Sequence, residues 1–139
     1  MTKTSADPST LSTPVGRVCE HILVVEDDEM VRSYVVKQLI SLGYVVSEAM
    51  DGPTGLEIIR ERLDIDLLVT DLVMPGGMSG RDLAEAVQQL RPNLPILLTS
   101  GYHEDSIANS GLLDQGFEML QKPYRRQELA QRLRKMLQG

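Results

Sequence analysis

Three short apolar runs in this chain break off into polar residues in the same way, and that repetition narrows the possible folds more than any other feature. His21-Ile22-Leu23-Val24-Val25 gives way to Glu26-Asp27-Asp28-Glu29, Leu67-Leu68-Val69 to Thr70-Asp71, and Ile96-Leu97-Leu98 to Thr99-Ser100-Gly101. Runs this short and this apolar are expected to be strands buried on both faces. Two further strands are predicted, Tyr44 to Ala49, rich in β-branched residues, and Phe117 to Gln121, which hands Lys122 to its end before Pro123. Helical spacing fills the intervals. Val31, Tyr34, Val35, Leu39 and Leu42, with Gln38 a polar exception, mark a first helix from Glu29 that Gly43 closes. Leu56, Ile58, Ile59 and Leu63 give the second its buried stripe, after an Asp51-Gly52-Pro53 turn whose proline suits a helix start. Ser79 caps a third with Leu83, Ala84, Val87 and Leu90, and Arg91-Pro92-Asn93 ends it. A weaker fourth runs from about Glu104 to Leu112 or Leu113, and a fifth buries Leu129, Leu133, Met136 and Leu137.

Alternating strands and helices imply an α/β fold, a doubly wound five-stranded parallel sheet with helices on both faces, because each parallel crossover needs an intervening helix. In such sheets ligands bind beyond the carboxyl ends of the strands. The groups delivered there are Glu26, Asp27 and Asp28 after the first strand, Asp71 after the third, Ser100 after the fourth and Lys122 after the fifth.

At 139 residues, 42% of them hydrophobic, the chain holds one domain of ordinary size. Residues 1–18, rich in Ser, Thr and Pro without apolar periodicity, are expected to be a disordered arm or linker ahead of a domain at 19–139. A net charge of -6 with mixed signs argues against general affinity for nucleic acid or an anionic membrane. The single cysteine, Cys19, excludes an internal disulfide and a cysteine zinc site. No apolar run reaches bilayer-spanning length and no secretory segment opens the chain, so the cytoplasm is the expected location.

Three carboxylates gathered at one sheet edge repel by roughly a few kcal/mol per pair at an effective dielectric near 20, so positive charge must sit among them. A hard divalent cation with oxygen ligands meets that need, and Mg²⁺ commonly takes one or two protein carboxylates and keeps water and phosphate oxygens. Lys122 adds charge from the other side. A cation, an ammonium and a hydroxyl around one carboxylate are what phosphoryl transfer onto that carboxylate requires, since the protein's task there is positioning and charge stabilisation. Aspartate nucleophiles forming acyl phosphates are established chemistry.

The Ile22 to Asp28 segment, the Asp71 to Pro75 stretch, Leu98-Thr99-Ser100-Gly101 and Lys122-Pro123 together resemble the receiver domain of two-component response regulators, over about His21 to Leu137. The resemblance implies a flavodoxin-like sheet of order 2-1-3-4-5 and a phosphorylation-activated signalling switch. Asp71 is then the phosphoacceptor, taking its phosphoryl group from a phosphohistidine on a sensor histidine kinase or histidine phosphotransfer protein. It further implies Mg²⁺ (or Mn²⁺) bound by Asp27, by Glu26 through water, by Asp71 and by the backbone carbonyl of Val73, with Ser100 and Lys122 contacting the phosphoryl group. Asp28 is read instead as a helix N-cap. Ser100 before Gly101 fits the family's hydroxyl position better than Thr99, which alternation points away. The Lys122–Pro123 bond is expected to be cis. A receiver of this kind catalyses its own phosphorylation and dephosphorylation without being a turnover enzyme, is a monomer or weak dimer, and signals to an unknown downstream protein. No output domain follows the fifth helix, so the message is expected to leave through a protein contact. Parts of the chain look similar to receivers of hybrid sensor kinases, and a stand-alone regulator is equally consistent. Two departures stand out: the turn Met74 to Gly80 has one residue more than the commonest form, and Met119 occupies a position that is often an aromatic switch.

His21 is expected to be a solvated edge residue, Cys19 a linker thiol, and His103-Glu104-Asp105 an exposed helix start without zinc spacing. Arg125, Arg126, Arg132, Arg134 and Lys135 suggest a solvated or protein-docking face. Two rivals remain. One is an aspartate-nucleophile phosphohydrolase of the haloacid dehalogenase type, whose Asp-x-Asp signature Asp64-Ile65-Asp66 superficially matches from the wrong edge. The other is a receiver-like binding module that is never phosphorylated, against which the intact Asp71, Lys122 and acidic pair speak.

Overall fold

The computed structural model describes residues 20–74, 77–101 and 117–138. These form β1 (His21–Val25), α1 (Glu29–Ser41), β2 (Val45–Ala49), α2 (Gly52–Glu61), β3 (Leu67–Asp71), α3 (Gly80–Leu90), β4 (Ile96–Ser100), β5 (Glu118–Gln121) and α4 (Arg126–Gln138). The five strands make one parallel sheet of order β2-β1-β3-β4-β5. The helix expected from about Glu104 lies outside the described residues, so α4 is the fifth helix of the sequence reading.

Alternation along the central strands divides the core in two. Ile22, Val24, Leu67, Val69 and Leu97 face Val35 and Leu39 of α1 and Leu129 and Leu133 of α4. Leu23, Val25, Leu68, Ile96 and Leu98 face Ile59 of α2 and Leu83, Ala84 and Val87 of α3. Burying each such side chain contributes roughly 1.5–3 kcal/mol, which is why the central strands are apolar throughout and why the polar residues fall at their ends.

The helix starts are set by short polar side chains. Asp28 Oδ1 accepts from the amides of Met30 (2.9 Å) and Val31 (3.0 Å), as an N-cap should. Ser79 and Asp82 form a reciprocal capping box at 3.1 Å each way. Gly43, at φ +99°, takes the left-handed turn that releases the chain from α1 into β2.

Several sequence expectations fail, most of them at the amino edge of the sheet. Leu63 is 79% exposed, because α2 stops at Glu61. The Arg91 guanidinium donates to the carbonyls of Arg62, Leu63 and Ile65, holding that segment in a loop. Leu90, on the last turn of α3, and Tyr34 of α1 are also exposed. Tyr34 sits beside the buried Gln38, whose Nε2 donates to its hydroxyl at 3.3 Å. His21 is buried, not solvated: Nε2 lies 2.7 Å from Ser47 Oγ, Nδ1 lies 3.2 Å from Asp64 Oδ2, and its amide donates to Asp66 Oδ2 at 2.8 Å. Asp64 and Asp66 are thus clasps at the foot of β1 and β3, at the edge opposite Asp71.

Candidate functional site

The strand ends that converge share one parity. Glu26 continues the Ile22 and Val24 face of β1, Asp71 continues Leu67 and Val69 of β3, and Lys122 follows Leu120 of β5, all toward α1 and α4. Lys122 Nζ reaches across β4 to donate to Asp71 Oδ1 at 3.1 Å and lies 3.5 Å from Glu26 Oε1. Carboxylate oxygens of Glu26, Asp27 and Asp71 all fall within 4.8 Å of one another. The site is graded in exposure: Glu26 is buried, Asp71 is half-buried and Asp27 faces solvent.

Electrostatics follow from that placement. Burial is the largest influence on Glu26 and pushes its carboxyl up to about 7, with help from the Asp71 charge and a hydrogen bond with Asp27, while the Asp28 amide and Lys122 pull the other way. Burial also opposes charge on Lys122, but the Asp71 and Glu26 carboxylates outweigh it and hold the ammonium above its ordinary range. Lys122 is therefore a fixed cation whose firmest partner is Asp71. Tyr124, just beyond, packs against the α1 and α4 core. Its hydroxyl is pushed up to about 12, chiefly by burial and then by the charges of Glu26, Tyr34 and Asp71.

Backbone contacts hold the remaining pieces. The Lys122 amide donates to the Ser100 carbonyl at 2.8 Å, and the Leu72 amide to Thr99 O at 2.8 Å. The Lys122–Pro123 peptide is cis. Ser100 is buried at the end of β4. Thr99, however, is not turned away from Asp71: it is that residue's register partner and so shares its sheet face, leaving Ser100 one step farther on and of opposite parity. Alternation therefore places Thr99, not Ser100, on the face of Asp71, and the case for Ser100 rests on its place at the strand's mouth. Val73 stands on the exposed rim two residues after Asp71. In the loop beyond, Pro75 and Gly76 lie outside the described residues, but its ends close on each other, the Gly80 amide donating to Leu72 O at 2.8 Å. A Cβ at Gly80 would come within 1.8 Å of the Asp71 carbonyl oxygen, so only glycine lets α3 begin against the backbone of that residue.

Sequence reasoning missed Arg32. Its Nη1 donates to the Glu26 carbonyl at 2.8 Å and its Nε to Glu48 Oε1 at 3.0 Å. A basic residue one helical turn past an acidic cluster was the available signal. Arg132, assigned to the basic outer face, instead donates to the Met119 carbonyl at 2.5 Å and lies 3.5 Å from Glu118 Oε1, tying α4 to β5.

Residues 22–134 match the family profile of the response regulator receiver domain. The chain belongs to that family. This receiver is 37% identical over 118 residues to the sensor kinase CckA of Brucella abortus, a match covering 84% of this chain and 12% of that kinase. It is 31% identical over 118 residues to the response regulator receiver protein CpdR of the same organism, across 85% of this chain and 97% of CpdR. The chain therefore spans a small part of one curated relative and nearly all of another. Among solved structures it superposes on a response regulator receiver domain protein from Clostridium thermocellum with a TM-score of 0.81 at 26% identity, covering 86% of this chain and 94% of that one. The receiver domain of the hybrid histidine kinase CckA matches with a TM-score of 0.69 at 33% identity, over 84% and 98% of the two chains. Receivers are signalling modules of two-component systems, and nothing in these likenesses supports the haloacid dehalogenase reading. Among the described residues no helix is long and apolar enough to cross a membrane.

Proposed function

We propose that Asp71 is the phosphoacceptor of this receiver and that the phosphoryl group comes from a phosphohistidine on a sensor histidine kinase or histidine phosphotransfer protein. The observation that carries the reading is the grouping of Glu26, Asp27 and Asp71 oxygens within 4.8 Å, faced by Lys122 at 3.1 Å. Such a set of hard oxygen donors suits Mg²⁺ (or Mn²⁺), with the Val73 carbonyl as the expected further ligand. The ion, when bound, neutralises charge on the equatorial oxygens of the transferring group.

Within that site Asp71 attacks phosphorus through a carboxylate oxygen while the phosphorus–nitrogen bond to the donor histidine breaks, leaving an aspartyl phosphate and a histidine that takes up a proton. Lys122 holds the second Asp71 oxygen before transfer and pairs with the phosphoryl oxygens after it. Ser100 donates a hydroxyl hydrogen bond to the same group. The product adds roughly one and a half to two negative charges where one ammonium already stands, which biases a two-state surface toward a new protein contact. The role is that of a switch in the cytoplasm and not of a turnover enzyme.

The test is labelling with a small-molecule phosphoryl donor such as acetyl phosphate in the presence of Mg²⁺. Wild type should be labelled and Asp71→Asn should not; equal, acid-stable labelling of both would overturn the assignment.

A further inference from the structure

We propose that Arg32 is the positioning residue of the acidic turn, a guanidinium clamp that holds Glu26 and Asp27 in the arrangement a divalent cation needs. The inference rests on the cation-binding reading above. The last paired residue of β1 is Val25, opposite Ala49 on one side and Thr70 on the other. One step on, the Glu26 amide still donates to Ala49 O at 3.2 Å, but the Glu26 carbonyl lies past the last β1–β3 pair. Arg32 Nη1 takes up that carbonyl at 2.8 Å.

The same guanidinium is anchored on the neighbouring strand. Its Nε donates at 3.0 Å to Glu48 of β2, the register partner of Val24, and the side chain is only 15% exposed. Its backbone ties to the turn as well, because the Arg32 amide donates to Asp28 O at 2.8 Å. Asp28 in turn caps α1 and donates its own amide to Glu26 Oε2 at 3.0 Å. Residues 26–28 are thus gripped from the helix backbone on one side and from the Arg32 fork on the other. The planar fork can bridge a carbonyl and a carboxylate at once, which the single ammonium of a lysine does poorly.

Position and charge make opposite predictions here, and that separates them. Arg32 is a cation near a cation site, so if charge alone mattered its loss would tighten Mg²⁺ binding. If it positions the turn, its loss weakens binding, and replacing it with lysine, which keeps the charge, weakens binding too. Groups that orient metal ligands typically change affinity about 10–100-fold when removed.

The experiment is calorimetric Mg²⁺ titration of the wild-type chain and of Arg32→Lys, Arg32→Met, Glu48→Gln and Asp27→Ala, with amide exchange followed in the metal-free proteins. We expect about tenfold weaker Mg²⁺ binding in both Arg32 variants, a smaller loss in Glu48→Gln, and exchange of the Asp28 amide faster than in wild type while β4 amides such as Leu98 keep their wild-type rates. Unchanged or tighter binding in Arg32→Lys, with Asp27→Ala losing Mg²⁺, overturns the role of Arg32 and leaves the metal site standing. Binding by Asp27→Ala at wild-type strength overturns the metal site and this inference with it. Should the Arg32 variants unfold, Glu48→Gln decides: unaltered affinity and Asp28 exchange there also overturn the clamp.

Discussion

Replacing Glu26 with glutamine should stabilise the metal-free protein at pH 8 while weakening its response to Mg²⁺. Glu26 is 5% exposed and its carboxyl sits near 7 instead of its ordinary 4.5, mainly through burial. Between those values the folded protein keeps a proton that the unfolded chain has released. The contribution of this group to stability is therefore complete below about pH 4.5 and is lost as pH rises through about 7. A shift of that size corresponds to about 3 kcal/mol as a ceiling, reduced because Lys122 and Asp71 respond to the same proton. Glutamine keeps the shape, can still accept from the Asp28 amide and carries no charge. Metal-free Glu26→Gln should thus be more stable than wild type by about 2 kcal/mol at pH 8 and nearly equal to it at pH 5. Mg²⁺ must displace the Glu26 proton, so wild-type affinity should fall about tenfold from pH 8 to pH 6, and the variant should lack that dependence. Urea unfolding at pH 5 and pH 8, with and without Mg²⁺, reads all of this. A variant destabilised equally at both pH values, or one that Mg²⁺ stabilises as strongly as wild type, would refute the reasoning.

Two further outcomes follow from the neighbouring residues. Gly80→Ala forces a methyl group against the Asp71 carbonyl, so urea unfolding should show a loss of about 2 kcal/mol or more together with slower labelling by acetyl phosphate; wild-type behaviour in both would mean that α3 can begin elsewhere at no cost. Ser100→Ala should slow labelling at least about tenfold, whereas Thr99→Val should leave it within about twofold, and the reverse order would transfer the hydroxyl role to Thr99.

The sheet was legible because its physics is local to each strand. Apolar runs such as Ile22 to Val25 and Leu67 to Val69 have no stable place except between two helix layers, and the polar residues that end them had to lie at the strand mouths. Asp28, Ser79 and Gly43 were readable for the same reason, since caps are satisfied within a few residues. The errors are contacts distant in sequence. Leu63 fits a helical stripe, but Arg91, 28 residues later, holds its carbonyl in a loop. His21 looked like an exposed strand start until Ser47 and Asp64 closed over it from β2 and from the loop before β3. Thr99 and Ser100 differ by one place of register, which the hydrophobic pattern of β4 does not specify at its mouth. Arg32 gave only a weak signal because its partners belong to the ends of two different strands.

The switch depends on which atom receives the phosphoryl group. Treating the labelled protein with borohydride, which reduces an acyl phosphate to an alcohol, and locating the reduced residue by mass spectrometry tests this directly. Reduction at position 71 alone, dependent on Mg²⁺ and absent from Asp71→Asn, is the predicted result. Label that survives reduction, or that maps to Asp27, a serine or a histidine, would contradict it.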